Sequence, residues 1–177
     1  MRGETNKAKL ECFMEALGKR VGSAGRVYFT GGGTAVLEGW RDTTIDIDLK
    51  AMPEPRGFFE AIAELKDLID LNIELAAPDE FIPELSGWHE RSLFIARHGQ
   101  IDFFHYDPYS QALAKIERGH TRDLSDVEAM LNRGLIARDR LWELFLEIEP
   151  KLLRFPAIEP AAFRAAVDEI CQTTSEP

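Results

Sequence analysis

Apolar residues recur at helical spacing from Lys7 to Val21, where Leu10, Phe13, Met14, Leu17 and Val21 form one stripe. Gly22, Ser23 and Gly25 end that pattern. Arg26 to Thr30 is a short aromatic and β-branched run, which predicts a strand. Gly31, Gly32 and Gly33 then read as a loop, with a short helix expected from Thr34 to Glu38. The next segment, TIDIDLK from Thr44 to Lys50, alternates strictly. It predicts a strand with Ile45, Ile47 and Leu49 on one face and Asp46 and Asp48 on the other.

Pro53 and Pro55 stop that strand. A helical pattern follows from Gly57 to Leu71, a strand from Asn72 to Ala76 and a loop from Pro78 to Gly87. Ser92 to Arg97 and Gln100 to His105 read as a hairpin around His98 and Gly99. Beyond Pro108 the chain is helical, with helices expected at Tyr109–Arg118, Leu124–Leu131, Asp139–Glu149 and Pro160–Cys171. The expected class is α+β. Residues 1–106 form a small mixed sheet flanked by helices, and residues 107–177 a helical part.

Composition narrows the function classes. With 45% apolar and 29% charged residues, the chain has the profile of a globular domain. Its net charge of −10 excludes broad charge-driven binding to nucleic acid, although 21 Lys and Arg can still build a local groove. Two cysteines, Cys12 and Cys171, supply neither a disulfide framework nor a metal knuckle. The N-terminus has no apolar signal segment and no stretch is apolar enough to span a membrane, so the expected compartment is the cytoplasm and no membrane partner is expected.

The candidate chemistry lies between Phe29 and Lys50. Glycines between a strand and a helix let backbone approach a ligand closely. The helix start supplies N–H groups and a dipole that attract phosphate, and the Thr34 hydroxyl adds a donor. The loop lacks the Gly-Lys-Ser/Thr of a P-loop, and Val36 breaks a dinucleotide fingerprint. Asp46 and Asp48 on one strand face place their Cα atoms about 6–7 Å apart. Hard oxygen donors at that spacing suit Mg²⁺ or Mn²⁺.

Gly32-Gly33, twelve intervening residues and then Asp46-Ile47-Asp48-Leu49 resemble the signature of the DNA polymerase beta-like nucleotidyltransferases. The wording GGT-A…R…T-x-D-I-D-L is similar in particular to AbiEii-like toxins of toxin–antitoxin systems. The resemblance implies a nucleotidyltransferase core that moves an NMP from an NTP, such as ATP, to a hydroxyl and releases pyrophosphate. It makes Asp46 and Asp48 the Mg²⁺ (or Mn²⁺) ligands and Gly32, Gly33 and Thr34 the phosphate loop. Arg41 matches the motif arginine with one residue of offset.

Such sites carry a further carboxylate on a neighbouring strand. Asp102, an acid within the apolar GQIDFFHYD run, is the expected third metal ligand and catalytic group. Asp107 is the rival, although Asp-Pro is also a helix-start signal. Lys115-x-x-Arg118 and Arg122-Asp123-x-x-Asp126 are similar to a basic stretch in the same toxins, which implies that Lys115, Arg118 and Arg122 bind the triphosphate. Spacing alone reads them as a solvated face paired with Glu117, Asp123 and Glu128. The helical part is then expected to close the nucleotide cleft.

The acceptor stays open. The resemblance points to tRNA, with a cognate antitoxin or toxin as partner. A partner protein modified on a hydroxyl, a small molecule, or a degenerate module that only binds a partner are the alternatives. Residues 134–177 carry no motif that assigns a role.

Overall fold

The computed structural model describes residues Gly3 to Gln172. In chain order the elements are β1 (Thr5–Asn6), α1 (Lys7–Arg20), β2 (Gly25–Thr30), α2 (Gly31–Glu38), β3 (Thr43–Thr44), β4 (Asp46–Ala51), α3 (Phe58–Leu68) and β5 (Asn72–Glu74), then α4 (Trp88–Arg91), β6 (Leu93–His98), β7 (Ile101–His105), α5 (Pro108–Arg118), α6 (Thr121–Asn132), α7 (Arg138–Ile148) and α8 (Pro160–Gln172). Short 3-10 turns occupy Pro78–Glu80 and Glu149–Arg154. The elements group into two compact units. One comprises residues up to Ala77 together with Ser92–Tyr106, and the other Pro78–Arg91 together with the residues from Asp107 onward.

The first unit is built on a five-stranded mixed sheet in the order β5-β4-β2-β7-β6. β4 runs antiparallel to β2, whereas β7 is parallel to β2 and β5 parallel to β4. One sheet face carries Val27, Phe29, Ile47, Leu49, Ile101 and Phe103, all fully buried or nearly so. They pack with Leu10, Phe13 and Leu17 of α1, Val36 of α2, and Phe58, Ile62 and Leu65 of α3. Period-two alternation in the strands and period-3.6 stripes in the helices thus meet in one core. Ile45 is the exception to the expected alternation. It lies between β3 and β4, before the strand begins, and is 54% exposed.

The glycines are not a loop. α2 begins at Gly31, with Thr30 as its N-cap. Gly31 takes φ = 56°, the left-handed turn that carries β2 straight into the helix and that a side chain would disfavour. A Cβ on Gly32 would run into the Thr44 side chain, and one on Gly33 would lie 3.2 Å from the Phe29 ring. Glycine at 32 and 33 therefore lets α2 sit close against β2 and β3. The ribbon β1–β3 pairs Thr5 with Thr44 and braces the same helix start.

The second unit is helical. α5 ends at Gly119, which is left-handed at φ = 69°, and α6 follows from Thr121. The break means that Lys115 and Arg118 lie on a different helix from Arg122 and Asp126. The strict spacing along one helix face is not realised. Among the described residues no helix is long and apolar enough to cross a membrane.

Overpacking of this kind costs about 1–3 kcal/mol. Gly32→Ala should lower the denaturant midpoint accordingly. The loss should shrink when Thr44→Ala removes the opposing hydroxyl and methyl. Equal losses in both backgrounds would show that the two residues do not meet.

Candidate active site

Asp48 is the register partner of Thr30, the last residue of β2 before α2. Its carboxylate overlies the helix start, since a Cβ on Gly31 would lie 2.7 Å from Oδ2. A carboxylate there gains from the helix dipole. Asp46 lies two residues earlier on the same strand face. It is exposed, and it accepts a hydrogen bond from the Asn72 amide of β5. β5 brings a further acid, because Glu74 is the register partner of Asp48 and is exposed. Partners in adjacent strands stand side by side on one face, about 4.8 Å apart. Asp46, Asp48 and Glu74 thus form a carboxylate row beside the start of α2.

Sequence reasoning passed over Glu74. It stands in NIELAA, three residues of strand after a helix, with no motif of its own. The available signal was topological: a strand that follows α3 can return parallel to β4.

Asp102 stands elsewhere. It is the partner of Arg26 in β2, whereas Asp48 is the partner of Thr30. Four residues of strand separate the two rows, about 13 Å. Its carboxylate is gripped bidentately by Arg97 at 2.6 and 2.9 Å. The Arg97 hydrogen bonds hold it below the usual carboxylate pKa. The structure does not bring Asp102 to Asp46 and Asp48, and the partner that its apolar strand demanded is an arginine.

Asp107 is fully buried and structural. It accepts from Arg91 Nε and Nη2 at 3.1 and 2.8 Å, from the Ser110 hydroxyl at 2.8 Å and from the Tyr109 N–H at 3.1 Å, capping α5.

Thr34 does not face a phosphate. It is 3% exposed, and its hydroxyl oxygen lies 3.1 Å from the Phe29 carbonyl and 3.3 Å from His105 Nδ1. Arg41 follows the C-terminal end of α2, where its N–H bonds the Ala35 carbonyl.

Lys115 is 3% exposed. Its ammonium lies 2.6 Å from Asp126 and 3.4 Å from Asp123, and Arg118 holds Asp123 at 2.8 Å. This cluster joins α5 to α6 within the second unit. It is an internal clamp of alternating charges, closer to the paired reading of these residues than to a cationic wall. Arg122 is exposed on the first turn of α6.

Among the described residues no three Asp, Glu, His or Cys side chains are gathered tightly enough to hold a metal as they stand. The donor chemistry of the row nevertheless fits a hard divalent cation: all oxygen, all anionic, and on neighbouring strands.

Two consequences can be measured. Removing one partner from a buried ion pair costs about 3–5 kcal/mol. Lys115→Ala should lose that much in denaturant unfolding, and an unchanged midpoint would contradict the clamp. Burial also pushes the His105 pKa down from 6.5 to about 4. The unfolded chain then binds more protons than the native one below pH 6.5. Stability falls as pH drops from 6.5 towards 4, by less than the roughly 3 kcal/mol that burial alone would give, because the Glu38 carboxylate 3.0 Å from Nε2 favours the charged ring. His105→Asn should flatten that part of the stability profile; an identical slope in the variant would remove His105 as its source.

Neither a curated protein nor a solved structure matches the sequence. Residues 10–157 match the model of a family described as nucleotidyltransferases of unknown function (DUF6036), and the chain belongs to that family.

Proposed function

We propose that the chain transfers an NMP from an NTP to a hydroxyl acceptor at the Asp46–Asp48–Glu74 row. The observation that carries this reading is the Asp48 carboxylate over the first residue of α2, with Asp46 on the same strand face and Glu74 in register on the next strand. The first N–H groups of a helix have no partner within it. The Gly32–Gly33 turn offers a phosphate the positive end of the dipole at close backbone approach. Asp46 and Asp48, with Glu74 beside them, would hold Mg²⁺ or Mn²⁺. Such an ion neutralises the triphosphate and eases deprotonation of the attacking hydroxyl.

Glu74 is exposed and stands next to Asp48, so it is placed to take the acceptor proton. The acceptor oxygen then bonds the α-phosphorus as the α–β bridging bond breaks, and pyrophosphate carries away the electron pair. The resemblance to AbiEii-like toxins favours an RNA 3′ hydroxyl, specifically tRNA, as acceptor, with a cognate antitoxin as partner in the cytoplasm. A net charge of −10 favours a second reading, a hydroxyl on a partner protein.

Labelled NTPs incubated with the chain, Mg²⁺, total RNA and lysate will separate these readings by where the label goes. Label in neither RNA nor protein, with every NTP, counts against transfer to a macromolecule.

Asp46→Asn and Asp48→Asn should abolish transfer and leave the fold intact, because carboxylate repulsion is relieved. Glu74→Gln should cost at least about 100-fold, on the scale of a lost acid–base group. Asp102→Asn should leave transfer within about threefold, since its partner is Arg97. The reverse order of Glu74 and Asp102 would sink the assignment of the third carboxylate.

A further inference from the structure

Thr34 and Glu38 lie four residues apart on α2 and therefore face the same way. They bracket one imidazole. His105, 5% exposed on β7, has Nδ1 3.3 Å from Thr34 Oγ1 and Nε2 3.0 Å from Glu38 Oε1. The Thr34 hydroxyl also lies 3.1 Å from the carbonyl of Phe29, the register partner of His105, but it has one proton: with the ring neutral and Nε2–H on Glu38, that proton goes to Nδ1. One buried ring thus ties both turns of a short helix to β7.

Packing alone does not ask for these groups. His105 and Thr34 are almost fully buried, and polar side chains are costly there unless bonded. What the bonds add over apolar contact is direction. Ridges of aliphatic groups tolerate sliding, whereas a ring held at two nitrogens by residues one turn apart fixes α2 along its axis. The position of that axis matters at the other end. Gly31, the first residue of α2, lies directly under the Asp48 carboxylate, with room for no side chain between them.

We propose that His105 is a positioning residue for the carboxylate row: through Thr34 and Glu38 it fixes α2, and so fixes the seat that Gly31 gives to Asp48. The use of that seat for metal rests on the function proposed above; the hold of His105 on α2 does not. The open side of the ring and of Glu38 is bounded by Lys7, Glu11 and Glu15 of α1 and by His98 of β6, around a cavity of about 530 Å³. The imidazole is therefore reached from a different side of the sheet than Asp48, whose side chain projects from the opposite face.

The test uses the full chain and two readouts. The first is Mn²⁺ alone, titrated by the EPR signal of the free ion. The second is native-state amide exchange at Ala35, Val36 and Leu37, inside α2, referenced to Leu49 and Leu65 of the core. His105→Ala and Thr34→Val should each weaken Mn²⁺ binding about tenfold, the usual scale for groups that orient a metal ligand. Both should speed exchange at Ala35, Val36 and Leu37 and leave Leu49 and Leu65 protected. His105→Asn, whose amide can reach Thr34, should recover most of both losses. Where His105→Ala loosens the whole sheet, Thr34→Val carries the comparison, because it exchanges a hydroxyl for a methyl of the same size.

Wild-type exchange at Ala35, Val36 and Leu37 in Thr34→Val and His105→Ala overturns the proposal. So does unchanged Mn²⁺ affinity in both variants when wild-type binding is lost in Asp48→Asn. Failure of the functional reading looks different: wild type and Asp48→Asn then bind Mn²⁺ equally weakly, and amide exchange still decides whether His105 holds α2.

Discussion

The close seat of α2 against the sheet is the constraint on which the rest depends. Three glycines in succession remove three Cβ atoms from around a helix start, and each omission admits a different neighbour: Asp48 at Gly31, Thr44 at Gly32 and Phe29 at Gly33. A helix with side chains at these positions would stand farther from the strands. Its first N–H groups would then no longer share a corner with the carboxylates of β4. The juxtaposition of a helix dipole with an anionic strand face therefore follows from missing atoms as much as from those present.

The acids of this protein separate into two physical populations. Asp107, Asp123 and Asp126 are buried and each is answered by a cation, Arg91 for the first and Lys115 or Arg118 for the others. Charges withdrawn from water need such partners, and the helical unit is pinned by them. Asp46 and Glu74 lie on the surface, and Asp48 is half-buried between them and the helix. Like charges in a row repel, and the function proposed above would relieve that repulsion with a bound cation. An acidic overall balance is thus compatible with an interior that is locally neutral and a site that is locally anionic.

Much of this was legible in the sequence where periodicity was strong. The α1 stripe, the alternation of Ile47 and Leu49 with Asp46 and Asp48, the hairpin and the four C-terminal helices all appear close to their expected limits. The short pieces were not legible. β1, β3 and α4 span two to four residues each, too few for a period to show. Glycine was misread for a related reason: composition signals a loop, and only the neighbours reveal that the residue is small because a helix must come close. The third carboxylate was a question of register. Asp102 and Glu74 are both acids in short strands, and nothing local distinguishes the strand that aligns with Asp48 from the strand that aligns with Arg26. Lys115 was legible as a motif and the break near Gly119 as the gap between two expected helices, but the burial of Lys115 between Asp123 and Asp126 across that break was not.

The sheet order has a consequence for how the chain reaches this state. β2 sits at the centre, yet one of its two neighbours, β7, is the last strand to leave the ribosome. A parallel pair joined over so long a stretch closes slowly, because loop entropy is spent before the contact is made. Until Ile101–His105 arrives, β2 presents a bare hydrogen-bonding edge flanked by Val27 and Phe29, and α2 lacks the imidazole that holds it. Meanwhile Pro78–Arg91, threaded between β5 and β6 in sequence, belongs to the other unit, whose helices are still to be synthesised. Neither unit can be completed before the other has begun. A nascent chain halted near residue 90 would be an incomplete sheet with an aggregation-prone edge, and not a finished domain awaiting a second.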